Sequence, residues 1–210
     1  DEIYAGDNPL SLPQTIVRGV RERAQKGGGN GSVSLKYLWL YVSEEAVGQH
    51  VRDGHAMSAE DWLNVVDEAA AQGCKYAIIS VGDALRDHPE VLEMVVWAQS
   101  AHGIMVGIHF YGEPVAEGDV DLLVGLDHAK TCFFAPNPLL GAMSFLRDHG
   151  FAVLSAEEDH HHDATPECHL PEEMTCVSAS GRMYTCGLVL GDESYGLGHV
   201  LERKLTTVMH

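Results

Sequence analysis

Three short runs are apolar on both faces: Leu35–Val42 (LKYLWLYV), Tyr76–Ser80 (YAIIS) and Ile104–Phe110 (IMVGIHF). Helical patterns separate each run from the next. Strands buried on both sides and alternating with helices point to a parallel sheet with helices packed outside it. The first intervening pattern opens at Ser58-Ala-Glu-Asp61, a cap with an acid three residues on. It carries Trp62, Val65, Val66, Ala69 and Ala70 at helical spacing and stops at Gly73. The second opens at Pro89, buries Val91, Leu92, Met94, Val95 and Ala98, and stops at Gly103.

The alternation continues more weakly. Val120–Leu126 reads as a short helix, Thr131–Ala135 as a fourth strand, Leu139–His149 as a helix and Phe151–Ser155 as a fifth strand. The expected architecture is α/β: an incomplete (βα) barrel of about five mostly parallel strands with outer helices. Five strands are too few to close an eight-stranded barrel. Residues 1–31 precede this unit with an amphipathic stretch, Leu12–Gln25, and a Gly-rich linker, Gly27–Gly31. The βα unit itself covers 32–156. Residues 157–210 form a His- and Cys-bearing extension: Met174–Val177 and Met183–Cys186 flank a turn in which Gly181 supplies the positive φ. A short helix is expected at about Leu201–Val208.

The formal net charge of −18 repels phosphate backbones and argues against a nucleic-acid partner. No apolar run approaches the roughly 18 residues that a membrane-spanning helix requires. The five cysteines are an odd number in a chain large enough for its own core, which fits a reducing, cytoplasmic setting better than a disulfide framework. Cys74 and Cys132, in apolar surroundings, read as core thiols.

Candidate chemistry falls in three places. His50 and Asp53 follow the first strand, on the side where βα proteins place their loops for chemistry, and suit a small ligand or a metal. Asp83, His88 and His109 sit at strand ends, where an acid–base set for a metal-free lyase or hydrolase would converge. Cys168, Cys176 and Cys186, with His160 and His162 from the run His160-His-His-Asp163, suit zinc or an iron–sulfur cluster and the reading of a metal-using enzyme or electron carrier. Pairing of the two strands of the hairpin brings Cys176 and Cys186 close to facing one another. The run Gly27-Gly-Gly-Asn-Gly31 lacks the strand and the Lys-Ser/Thr of a phosphate loop, and no nucleophile elbow occurs.

In order and spacing, Met57-Ser-Ala-Glu60, Ser80-Val-Gly-Asp-Ala84, His88-Pro89 and His109-Phe-Tyr-Gly112 resemble the first three βα units of radical S-adenosylmethionine (radical SAM) peptide-modifying enzymes. Cys168-x12-Gly181-x4-Cys186, followed by Gly196-Leu-Gly-His-Val-Leu201, is similar to the start of their SPASM or twitch extension. The resemblance implies a partial barrel, an iron–sulfur cluster held by C-x3-C-x2-C after the first strand, and a Gly-Gly-Glu motif that receives the methionine amine. The chain departs from it where the cluster would sit: Ala46, His50 and Asp53 occupy the three cysteine positions, and no cysteine lies between Tyr41 and Gly73. Val81-Gly82-Asp83 replaces Gly-Gly-Glu, with Val81 adding bulk. Iron–sulfur clusters need thiolates, so these departures argue against cleavage of S-adenosylmethionine. The expectation is a degenerate, non-catalytic member that binds a protein or peptide partner in a peptide-modification or cofactor-maturation pathway. A homodimer would cover its open strand edges equally well.

Overall fold

The computed structural model describes residues 35–43, 56–82, 84–110, 115–139, 141–155, 174–184, 190–191 and 196–205. Among them are β1 (Tyr37–Tyr41), α1 (Ala59–Ala71), β2 (Tyr76–Val81), α2 (Pro89–His102), β3 (Met105–Phe110), α3 (Glu117–Val124), β4 (Thr131–Ala135), α4 (Gly141–Asp148) and β5 (Ala152–Ser155). Three further strands follow: β6 (Met174–Val177), β7 (Arg182–Tyr184) and β8 (Gly196–His199). A 3₁₀ turn, Leu85–Asp87, precedes α2.

The helices begin and end for local reasons. The Ser58 hydroxyl accepts from the Asp61 amide at 3.2 Å, and the Asp61 carboxylate accepts from the Ser58 amide at 3.0 Å. This reciprocal cap satisfies two orphan donors of α1, and a cap of this kind contributes about 1 kcal/mol. The same Ser58 hydrogen bonds hold the Asp61 carboxyl below its ordinary value. Pro89 opens α2, where its missing N–H costs nothing, and Gly103 ends it at φ +66°.

All eight strands form one sheet in the order β5-β4-β3-β2-β1-β6-β7-β8. Strands β1 to β5 step outward in parallel. The sheet is open, with β5 and β8 at its edges, so the expected mostly parallel α/β architecture is observed. The expected C-terminal hairpin is present as β6 and β7, and it extends the same sheet: β6 pairs in parallel with the free flank of β1, and β7 and β8 continue antiparallel from it. The sequence showed these strands as a local hairpin because pairing with a strand more than 130 residues away leaves no local mark. Of the helix expected at about Leu201–Val208, residues 201–204 are turn, bend or irregular, Leu205 is 3₁₀-helical and 206–208 lie outside the described residues. The N-terminal stretch Leu12–Gln25 and the linker lie outside the described residues.

Strand alternation divides the sheet into two faces. Leu38, Leu40, Ala77, Ile79, Val81, Val106, Ile108, Phe133, Val177 and Met183 belong to one core cluster with Trp62, Val65, Met94, Val95, Leu123 and Leu146 of the helices. Repeated crossovers in one direction put the helices on this face. The opposite face carries Tyr37, Trp39, Tyr41, Ile78, Ser80, Phe134, Cys176 and Tyr184, all buried. Leu205, fully buried, reaches the helix-side cluster, and its amide donates to the Glu68 carboxylate at 3.0 Å. The C-terminal segment is thereby tied to α1.

A buried polar row at the carboxyl ends of the strands

The carboxyl ends of β1 to β4 bring four side chains of the aromatic face into one cross-strand row: Tyr41, Ser80, His109 and Phe134 are successive register partners. This is the end at which parallel βα sheets place their sites. Trp39 lies one layer below, its ring stacked on Tyr41 at 5.3 Å and edge-on to His109 at 6.1 Å.

Ser80 is the centre of the row. The Trp39 indole Nε1–H, which can only donate, donates to the Ser80 hydroxyl at 2.7 Å. The same oxygen lies 3.0 Å from His109 Nδ1. Burial pushes the His109 imidazole down to about 4, so it is neutral at pH 7. The chain that gives each link one proton runs from the indole to the hydroxyl to an accepting Nδ1, with the imidazole proton on Nε2. Beside it, the Gly82 amide donates to the buried Ser43 hydroxyl at 2.8 Å, joining the carboxyl ends of β1 and β2.

This arrangement resembles a serine–histidine pair only in its distance. The Ser80 side chain has no solvent exposure, and the indole N–H occupies one of its lone pairs. A neutral, desolvated imidazole with so low a proton affinity is a poor general base. The Ser80 hydroxyl is thus engaged by two partners inside an aromatic layer. His88 is engaged elsewhere: it stands at the N-cap position of α2 without a side-chain cap bond and places Nδ1 3.1 Å from Glu90.

Of the other expected site residues, Cys176 is described. It lies on β6, fully buried, with Trp39 as its register partner on one side and Tyr184 on the other. Opposite Cys176 therefore stands Tyr184, not Cys186: the turn pairs Val177 with Met183, which sets the register two residues short of the expected one. Among the described residues, no group of three His, Cys, Asp or Glu side chains can hold a metal ion. His50, Asp53, Asp83, His160, His162, Cys168 and Cys186 lie outside the described residues. Val81, which stands where the resemblance has the first glycine of Gly-Gly-Glu, is 1 % exposed and packs into the helix-side core.

The sequence reading missed Trp39, Tyr41, Ser43 and Ser80. A signal for the first two was present: Tyr37-x-Trp39-x-Tyr41 repeats aromatics with the period of one strand face. Ser80, a hydroxyl closing an otherwise apolar run, was the second signal.

The turn after β6 meets the start of α1. Met57 donates its amide to the Ala179 carbonyl at 3.3 Å. His199 of β8 has a defined tautomer, with Nε2 donating to the Ser180 carbonyl at 2.6 Å and Nδ1 accepting from the Leu201 amide at 3.2 Å. No helix among the described residues is long and apolar enough to cross a membrane.

No known family model matches the chain, and no curated protein matches it. Solved structures do. The chain is similar to SuiB of Streptococcus suis bound to the precursor peptide SuiA, at 13 % identity over 95 % of this chain and 70 % of that one, with a TM-score of 0.60. It is similar to SuiB bound to S-adenosylmethionine, at 14 % identity over 95 % of this chain and 69 % of that one, with a TM-score of 0.52. A third crystal structure of SuiB matches at 13 % identity over 93 % of this chain and 76 % of that one, with a TM-score of 0.52. Likenesses at identities this low show a shared fold.

Proposed function

We propose that this protein is a non-catalytic relative of radical SAM peptide-modifying enzymes that binds a peptide or protein partner in a peptide-modification or cofactor-maturation pathway. The observation that carries the reading is the contrast between frame and loop. Strand β1 is paired along its length with β2 and over residues 37–40 with β6, yet no cysteine occurs between Tyr41 and Gly73, so the thiolates that anchor a cluster after the first strand are missing. The polar row fits the same role, since the Ser80 hydroxyl is engaged by both Trp39 and His109. The likeness to a solved structure holding a precursor peptide supports a peptide as the partner.

The test is anaerobic reconstitution with iron and sulfide, followed by S-adenosylmethionine and a peptide encoded beside the protein's own gene. The expected result is peptide binding with no 5′-deoxyadenosine and no mass change in the peptide. Formation of 5′-deoxyadenosine overturns the reading. The alternative of zinc or an iron–sulfur cluster at Cys168, Cys176, Cys186, His160 and His162 predicts stoichiometric metal that Cys168→Ser and Cys186→Ser remove. The burial of Cys176 between Trp39 and Tyr184 fits a thiol acting as apolar filling instead.

A further inference from the structure

We infer that the outer face of α1 and α2 is a docking surface for a basic, apolar-bearing segment of a partner protein, with Trp97 as its anchor. Of the three tryptophans, Trp39 and Trp62 are 1 % exposed, whereas Trp97 is 41 % exposed and Val96 beside it 53 %. Trp97 is not loose on the surface. Its Nε1–H donates to Asp67 Oδ1 across the helix pair at 2.6 Å, and the same oxygen lies 2.6 Å from His102 Nε2. The His102 ring stands edge-on to the indole at 6.0 Å. An aromatic ring held in one orientation before binding loses little entropy when a partner covers it, which is how interface anchors work.

The charge of the two helices specifies the occupant. Helix α1 carries Glu60, Asp61, Asp67 and Glu68, and α2 carries Glu90 and Glu93; neither helix contains a lysine or arginine. An exposed indole bonded to Asp67, on a helix pair whose own charged side chains include acids but no lysine or arginine, suits arginine or lysine, through cation–π contact and long-range attraction. The complementary partner thus carries basic residues interleaved with apolar ones. This surface lies on the helix side of the sheet, opposite the aromatic face. The inference extends the binding role proposed above and is separable from it: 5′-deoxyadenosine formation would overturn the non-catalytic reading and leave this surface untouched.

The probe is a fluorescein-labelled 18-residue synthetic peptide with leucine and arginine on one helical face, titrated against the full chain by anisotropy, with a glutamate-for-arginine version as control. The arginine peptide is expected to bind, to weaken with salt, and to shift the emission of Trp97, the exposed tryptophan. Trp97→Ala is expected to weaken binding at least tenfold, and Trp97→Phe, which keeps a ring but loses the Asp67 bond, by less. Asp121→Asn with Asp148→Asn, exposed on α3 and α4, is expected to change it less than twofold. Equal loss in the Asp121/Asp148 variant, or none in Trp97→Ala, overturns the inference. So does binding that emerges only when Arg18, Arg21 and Arg23 are reversed to glutamate, since the chain's own basic stretch would then be the occupant.

Discussion

The Ser80 hydroxyl sits between two aromatic partners that need it in different ways: it accepts the indole proton of Trp39 at 2.7 Å and faces Nδ1 of His109 at 3.0 Å. Removing it leaves a buried indole N–H with no acceptor and an imidazole with no hydroxyl. Each orphaned buried group costs about 1–3 kcal/mol. Ser80→Ala is therefore expected to lower stability by about 2–4 kcal/mol, read as a fall in the urea midpoint at unchanged slope. A loss below about 0.5 kcal/mol would show that the network carries little energy.

The same network sets a pH dependence. The folded protein holds His109 at about 4, whereas an unfolded histidine titrates near 6.5. Between these values the unfolded chain binds the extra proton, so stability rises with pH across that window. The contribution is fully present above about pH 6.5 and is lost as pH falls toward 4, on the order of 3 kcal/mol. Urea melts at pH 7.5 and 4.5 measure it, and His109→Gln is expected to flatten the difference. A His109 ring resonance that titrates near pH 6.5 would contradict this account.

Packing on the aromatic face leaves no room at Gly107. A methyl group there would lie 2.6 Å from Cε2 of Phe134, a ring with no solvent exposure. Gly107→Ala is expected to cost about 1–3 kcal/mol through overpacking. Pairing it with Phe134→Leu should recover part of that loss, a non-additivity that a double-mutant cycle in urea reads directly.

Gly181 couples the hairpin to α1. Its φ is +80°, and an added Cβ would meet Met57 Sδ at 2.6 Å and His199 Cε1 at 2.7 Å. Met57 ends in a flexible thioether and can move; the His199 ring, bonded at both nitrogens, cannot do so cheaply. Gly181→Ala is expected to speed hydrogen exchange at the Met57 and Val200 amides, which donate to Ala179 and Gly181, more than in the helices. Uniform acceleration throughout the chain would speak against a local latch.

Burial pushes the Cys74 thiol up to about 12 and the Cys132 thiol up to about 11. Only the thiolate attacks iodoacetamide, so both cysteines should resist alkylation at pH 8 and react on denaturation. Mass spectrometry of peptides from native and denatured samples distinguishes them, and rapid native labelling of Cys74 would refute the burial argument.

Much of the frame was legible in the chain itself. The Ser58–Asp61 cap, Pro89 at the start of α2 and the stops at Gly73 and Gly103 are local chemistry, set by side chains within a few residues of one another. The strands Thr131–Ala135 and Met174–Val177 carried the same kind of local signal. Helix ends elsewhere shifted by two or three residues, as with α3 at Glu117–Val124, because packing decides where a weakly capped helix frays.

What the chain alone determined was the period of each segment, and hence that strands buried on both faces must alternate with helices outside them. What the tertiary structure decided was adjacency: that β6 joins β1, that Tyr184 rather than Cys186 stands opposite Cys176, and that Ser80 is shared by Trp39 and His109. The reason is physical. Periodicity is stored in neighbouring residues, whereas strand order and side-chain partners depend on which distant surfaces pack with least loss, a property of the whole chain.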